Sequence, residues 1–212
     1  MAGNDMNAPS NSPLHKRFRG FLPVIVDVET GGFNHKTDAL LEVAVVIPYV
    51  NENNLWQTES THFHHIFPFK GANLEPAALK FTGIDPYHPF RFALPEDEAL
   101  AALFDEINQA VKKNKCSRAI LVGHNAAFDL NFINAAIARN KIKNSPFHQF
   151  SCFDTATLAG LATGQTVLSK ALKAIGESWD NEEAHSAKYD AEKTADLFCY
   201  IVNQWQTNQE KT

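Results

Sequence analysis

The feature that most constrains this chain is a pair of carboxylates closing an apolar run. Residues 23–28 read PVIVDV, and the run passes through Glu29 and Thr30 to two glycines, Gly31 and Gly32. A continuous apolar stretch of this length, broken by glycine, suits a strand buried inside a sheet. Strand side chains alternate, so Asp27 and Glu29 project from one face while Val24, Val26 and Val28 project from the other. Two adjacent acids in such a place repel each other and lose hydration, which is costly unless something neutralises them. A divalent cation would do so. A strand end whose carboxylates simply meet solvent would also explain the pair.

Further strands are predicted over residues 40–49 (LLEVAVVIPY), 61–67 (THFHHIF, half-exposed), 119–123 (AILVG) and a short stretch near 151–153. A short helix is expected over residues 76–81, with Pro76 at its start and Gly83 as its stop. Residues 96–113 carry Leu100, Leu103, Phe104, Ile107 and Val111 at helical spacing, and residues 125–140 carry Phe128, Phe132, Ile133 and Ile137 on one stripe. Helices are also expected over 155–162, 168–175 and 187–206. Three strands followed by helices interleaved with two more predict an α/β fold, a mixed five-stranded sheet flanked by helices. Residues 1–15 lack periodicity and read as a flexible tail. Residues 16–208 contain no linker or repeat and read as a single domain.

Composition narrows the function classes. The chain has 212 residues, 44% hydrophobic and 20% charged, enough for a substantial core and too apolar for wholesale disorder. No run approaches the roughly 18 apolar residues of a membrane span, and the N-terminus has neither the basic start nor the apolar core of a secretory signal. The cysteines (Cys116, Cys152, Cys199) show no CxxC spacing. That argues against a disulfide scaffold or thiolate zinc site and fits a reducing, cytoplasmic setting. A net charge of −5 excludes a general basic sheath for nucleic acid but leaves room for a local patch.

Two further acids extend the first pair. In HNAAFDLNF, Asn125 is a candidate N-cap that puts Asp129 about one turn into a helix. Its carboxylate can then face the sheet end where α/β folds hold ligands, although a surface aspartate favoured by the helix dipole would look the same. In AHSAKYDAEKTADLF, Asp190 opens the last helix and His185 precedes it by five residues, beyond the i+4 reach of one helix face. His185 is therefore expected in the loop leading in. Asp27, Glu29, Asp129 and Asp190 together would offer oxygen ligands, which favour Mg²⁺ or Mn²⁺ over zinc.

In order, VDVETGGF, HNAAFDLNF and HSAKYD resemble the three motifs of the DEDD superfamily of 3′-to-5′ exonucleases, and the histidine before the last aspartate is that of its histidine subclass. FRGF, TDALLE, GANLEPAALKFTGIDP, NSPFHQF, FDTATLAGLATGQTVLSKA and AHSAKYDAEKTADLFCYIVNQW extend the likeness, and essentially the whole chain resembles the bacterial ribonuclease T family. The resemblance implies an RNase H-like fold and trimming of single-stranded 3′ ends to nucleoside 5′-monophosphates. Structured RNAs, including tRNA during end turnover and maturation, are the implied substrates, with DNA 3′ ends as well. It also implies a homodimer.

On these residues, two Mg²⁺ per subunit (or Mn²⁺ in substitution) would be held by Asp27, Glu29, Asp129 and Asp190, with Asp27 bridging. Such a pair can hold the attacking and leaving oxygens of an in-line displacement at phosphorus. His185 would be the general base. In this family phenylalanines sandwich the terminal bases, which points to Phe33, Phe81, Phe128 and Phe150. Most of the sixteen phenylalanines must be core, Phe104, Phe132 and Phe198 among them. Ala77 stands where the family carries a glutamate linked to discrimination against 3′-terminal cytosine, and Glu75 lies two positions earlier. Arg17, Arg19, Lys112, Arg118 and Lys143 belong to short basic clusters that match the family's RNA-gripping patch. As bare charge runs they would equally be solvated faces.

A proofreading exonuclease subunit of a DNA polymerase shares all three motifs and is the nearest rival, with the family-specific segments weighing against it. A non-catalytic, metal-dependent nucleic-acid binder would typically have lost a ligand or the histidine, and here all five are present. A protein merely held together by its cation is the third alternative.

Overall fold

The computed structural model describes residues 13–210. Its centre is one five-stranded sheet in the order β3-β2-β1-β4-β5, built from β1 (Phe21–Thr30), β2 (Leu40–Val50), β3 (Trp56–His65), β4 (Arg118–Gly123) and β5 (Phe147–Asp154). β1 pairs antiparallel with β2 and parallel with β4, β2 pairs antiparallel with β3, and β4 pairs parallel with β5. The sheet is mixed, as expected. β1, β4 and β5 run parallel toward the same edge, with Gly123 beside Asp154 and β1 extending past them to Thr30.

The helices are α1 (Pro76–Thr82), α2 (Glu96–Lys113), α3 (Ala127–Arg139), α4 (Thr155–Thr163), α5 (Leu168–Ala174) and α6 (Ala187–Glu210). α1 starts on Pro76 and ends on Gly83, which adopts the left-handed conformation at φ 71. β2 is buried without alternation from residue 40 to residue 48, which requires cover on both faces of the sheet. α6 packs on β1, β2 and β3, while α2 and α3 pack against β4 and its neighbours. Phe198 of α6 is fully buried between Trp56 and Phe153. Truncating such a ring to alanine costs about 3–5 kcal/mol. Among the described residues, no helix is long and apolar enough to cross a membrane.

Several boundaries differ from the sequence reading. β3 begins at Trp56 rather than Thr61, and β5 at Phe147 rather than near Ser151. Both are edge strands whose outer residues meet water, so hydrophobic alternation is weak there. Asn125 is not the N-cap of α3: it takes the left-handed conformation at φ 69, and Ala126 precedes the helix with no side-chain cap. The expected tail is too long at its inner end, because Pro13–Lys16 form a 3₁₀ turn and Leu14 is fully buried in the core. The remainder of that tail, residues 1–12, lies outside the described residues.

Candidate active site

The four acids and His185 arrive from three elements at the C-terminal edge of the parallel strands. Asp27 and Glu29 stand on one face of β1, half-buried. Asp129, in the first turn of α3, is buried, and its Oδ1 accepts a hydrogen bond from the Val28 amide at 3.1 Å. That bond fixes the third acid against the strand that bears the first two. The approach depends on Gly123, where a Cβ would stand 2.9 Å from Asp129 Oδ2 and 3.0 Å from the Ala126 backbone. A side chain there would push the carboxylate away.

Asp190 lies in the first turn of α6, its amide bonded to the Ser186 carbonyl at 2.9 Å. His185 precedes the helix in the left-handed conformation at φ 67, which turns its ring back toward the acids. Ligand atoms of Glu29, His185 and Asp190 all lie within 4.8 Å of one another. Asp190 Oδ1 is buried and has no hydrogen-bond partner.

Crowding shows in the protonation of these groups. Burial, then the charges of Asp129, Asp190, Glu29 and Glu42, push Asp27 well above the usual carboxylate range. Glu29 is pushed up to about 8, by burial first and then by Asp190, Glu42 and Asp129. Asp129 also rises to about 8 through burial, although the Val28 amide opposes the shift. Asp190 rises to about 6, again through burial, with His185 pulling the other way. Burial and mutual repulsion thus favour the protonated form of Asp27, Glu29 and Asp129 at neutral pH, and of Asp190 to a smaller degree. An orphaned buried oxygen and an all-carboxylate set fit a hard divalent ion.

One neighbour is absent from the sequence reading. Glu42 sits on β2 directly opposite Glu29 and is buried. Its Oε1 meets His65 Nδ1 at 2.9 Å, and its Oε2 accepts from the Ala187 amide at 3.3 Å. A single carboxylate inside the apolar run LLEVAVV is the signal that could have found it.

Aromatic residues ring the acids. Phe33 is exposed and its ring lies 6.3 Å from that of Phe128, which in turn rests on Phe132 at 4.9 Å. Asp38 holds the Phe33 loop by accepting from the Asn34 amide at 2.9 Å and Asn73 Nδ2 at 3.0 Å. Gly32 is required beneath it, since a Cβ would come 2.1 Å from Asp38 Oδ2. Glu75 occupies the N-cap position of α1 without a side-chain capping bond, and its carboxyl carbon would stand 3.0 Å from that same Cβ, beside the Phe33 loop. Phe81 is exposed, with its ring 4.1 Å from the His185 ring.

Phe150 stands apart from the other three. It projects from a register break in β5, meets His148 at 4.5 Å, and lines a cavity of about 720 Å³ with Arg118 and Lys143. The basic residues gather at the opposite end of the sheet from the acids. Arg118 pairs in register with Phe21 at the start of β1, and the Arg19 guanidinium lies 5.1 Å over the Phe21 ring. Arg17 lies over Phe18 at 4.9 Å. Lys112 and Lys143 are exposed, whereas Lys113 is paired with Glu59.

The chain belongs to an exonuclease family: a family model described as Exonuclease matches residues 24–198. More narrowly, the chain belongs to the ribonuclease T family. It is 60% identical over 193 residues to the protein named Ribonuclease T from Marinobacter nauticus (strain ATCC 700491 / DSM 11845 / VT8), spanning 91% of this chain and 87% of that one. It is also 60% identical to Ribonuclease T of Hahella chejuensis (strain KCTC 2396), over 92% of this chain and 89% of that protein. Among solved structures, E. coli Exonuclease I in complex with a dT13 oligonucleotide superimposes with a TM-score of 0.66 at 18% identity, over 90% of this chain and 43% of that one. A 3′-exonuclease described in 3′-end specific recognition of a histone mRNA stem-loop gives 0.68 at 17%, over 86% and 63%. At these identities the structures attest the fold alone.

Proposed function

We propose that this protein is a 3′-to-5′ exoribonuclease that shortens single-stranded 3′ ends of structured RNAs, tRNA among them, and acts on DNA 3′ ends. The observation that carries the reading is the convergence of four acids: the charges of Glu29, Asp129 and Asp190 all act on Asp27, ligand atoms of Glu29, His185 and Asp190 lie within 4.8 Å of one another, and Asp190 Oδ1 is buried without a partner. These acids would hold two Mg²⁺, or Mn²⁺ in their place. When bound, such cations supply Lewis-acid stabilisation of charge on the phosphoryl oxygens and a more acidic water.

The chain's own residues then have distinct tasks. His185 accepts a proton at an imidazole nitrogen from the water that attacks phosphorus. The bond to the 3′ oxygen of the penultimate nucleotide breaks, that oxygen takes up a proton, and a nucleoside 5′-monophosphate leaves. Phe33, exposed and edge-on to Phe128, offers a stacking face for the terminal bases together with Phe128, and Phe81 offers another while packing on the His185 ring. Stacking of this kind is worth about 1–3 kcal/mol per base.

The basic residues support a homodimer. Glu29 lies eight residues along β1 from Phe21, the register partner of Arg118. At about 3.3 Å per residue, this separates the two ends by roughly 26 Å. In this reading Arg17, Arg19, Lys112, Arg118 and Lys143 would grip the body of an RNA whose end lies in a partner's site, and Phe150, beside Arg118 and Lys143, would offer a base a stacking face. The free thiols of Cys116, Cys152 and Cys199 agree with a reducing, cytoplasmic setting. Residues 16–208 act as the exonuclease domain in this reading.

The test is incubation of an end-labelled RNA hairpin bearing a 3′ overhang with Mg²⁺. Stepwise loss of 5′-monophosphates that stops near the duplex supports the proposal, and internal cuts or an intact overhang refute it.

A further inference from the structure

The segment between α1 and α2 turns its aromatic residues outward and its arginine inward. Tyr87, Phe90 and Phe92 are 68%, 77% and 80% exposed, while the Arg91 side chain between them is only 9% exposed. Arg91 Nη1 donates to the Pro86 carbonyl at 3.0 Å, and Nη2 donates to the Leu41 carbonyl at 2.8 Å. Phe92 adopts the left-handed conformation at φ 48, which a bulky side chain tolerates poorly. A loop with three large rings would ordinarily fold over them. This one folds over a guanidinium instead, and the exposed rings need another explanation.

The segment is tied to the acid site at two points. The helix that leads into it, α1, carries Phe81, whose ring lies against His185. Within it, Arg91 has Nη2 at 4.0 Å from Glu42 Oε1, and Glu42 in turn faces Glu29 and holds the Ala187 amide. Through Arg91 the segment borders the rim of the cleft that contains the acids, with its three rings turned to solvent. They are single planar faces separated by His88, Pro89 and Arg91, with the His88 and Phe90 rings 5.5 Å apart. Asp85 is the one acid of residues 84–95, and its Oδ1 is occupied by the Tyr87 amide at 3.1 Å.

We propose that Tyr87, Phe90 and Phe92 form a stacking surface for the bases of a single-stranded nucleic acid upstream of the nucleotides in the catalytic pocket. The inference rests on the exonuclease reading, because only that reading puts a single strand across this rim. Interspersed planar rings beside a polar cleft match a chain of bases, each with a π face. A protein partner would call for contiguous apolar area with a desolvated centre.

The test compares the wild type with the triple variant Tyr87→Ser/Phe90→Ser/Phe92→Ser, all three being exposed positions whose change leaves the core intact. Binding of a fluorescein-labelled decauridylate and a labelled triuridylate is followed by anisotropy in EDTA, so that nothing is cut. The expected result is at least a tenfold weaker Kd for the decamer, in line with roughly tenfold per lost stack, and less than twofold change for the trimer. Equal losses on both lengths, or no loss on either, overturn the proposal. So does a drop in sedimentation coefficient with unchanged RNA binding, which would assign the rings to a second copy of the chain. Shortening of the RNA by the wild type in Mg²⁺, measured separately, distinguishes failure of this surface from failure of the exonuclease reading itself.

Discussion

Glu42 Oε2 accepts a hydrogen bond from the amide of Ala187 at 3.3 Å, which ties the start of α6 to the second strand of the sheet. The bond anchors the turn that delivers His185 and Asp190 to the acids on β1. Glu42→Ala leaves the Ala187 amide without an acceptor, and it removes the partner of His65 and the negative charge 4.0 Å from the buried Arg91, which together should cost about 1–3 kcal/mol of stability. Turnover should fall at least tenfold, as about 1.4 kcal/mol of lost positioning would give. Glu42→Gln keeps an acceptor and should recover most of both. Thermal melts and kcat for the two variants check the expectation.

Without metal, stability should fall as pH rises. Glu29 and Asp129 titrate near 8 and Asp190 near 6 in the folded protein, whereas in the unfolded chain they lose their protons near 4. Between those values the folded state binds more protons, so stability decreases from about pH 4 until the highest of these groups has ionised. Melting temperatures in EDTA should decline across that window. Added Mg²⁺ should flatten the decline, because a cation stabilises the ionised acids, and apparent Mg²⁺ affinity should rise from pH 6 to pH 8.

His185→Ala should bind metal and RNA like the wild type while losing about 10²–10⁴-fold in turnover, the usual contribution of a positioned general base. Phe81→Ala should behave differently. It removes both a stacking face and the ring that packs on His185 at 4.1 Å, so KM should rise and kcat fall together. Steady-state kinetics on one overhang substrate separate the two patterns.

The basic end should act through phosphates alone. Arg17→Ala combined with Lys112→Ala should reduce the log–log salt slope of RNA binding by roughly 0.7 per lost contact on a single strand. Trimming of a short oligonucleotide should be unaffected. An unchanged slope would remove these residues from the RNA-binding surface.

What could be read from the sequence follows burial. β1, β2 and β4 stand out because their residues are covered on both sides, leaving nearly continuous apolar runs. The outer halves of β3 and β5 escape because exposed edge residues such as Gln57, Glu59 and Gln149 carry no pattern. The acids were legible as three short motifs, since each lies beside an apolar run that fixes its direction. Glu42 was not, because the strand pattern around it reads as core and only the register opposite Glu29 shows which charge it faces. The company Phe150 keeps was equally hidden, for it depends on a register break that no periodicity reports.

Divalent binding by the acids is tested most directly by titrating Mn²⁺ into the wild type and into Asp27→Asn while following free Mn²⁺ by electron paramagnetic resonance. The wild type should take up two ions per chain, and the variant should lose both that uptake and RNA shortening. Unaltered Mn²⁺ binding and undiminished turnover in Asp27→Asn would contradict a metal site centred on these carboxylates.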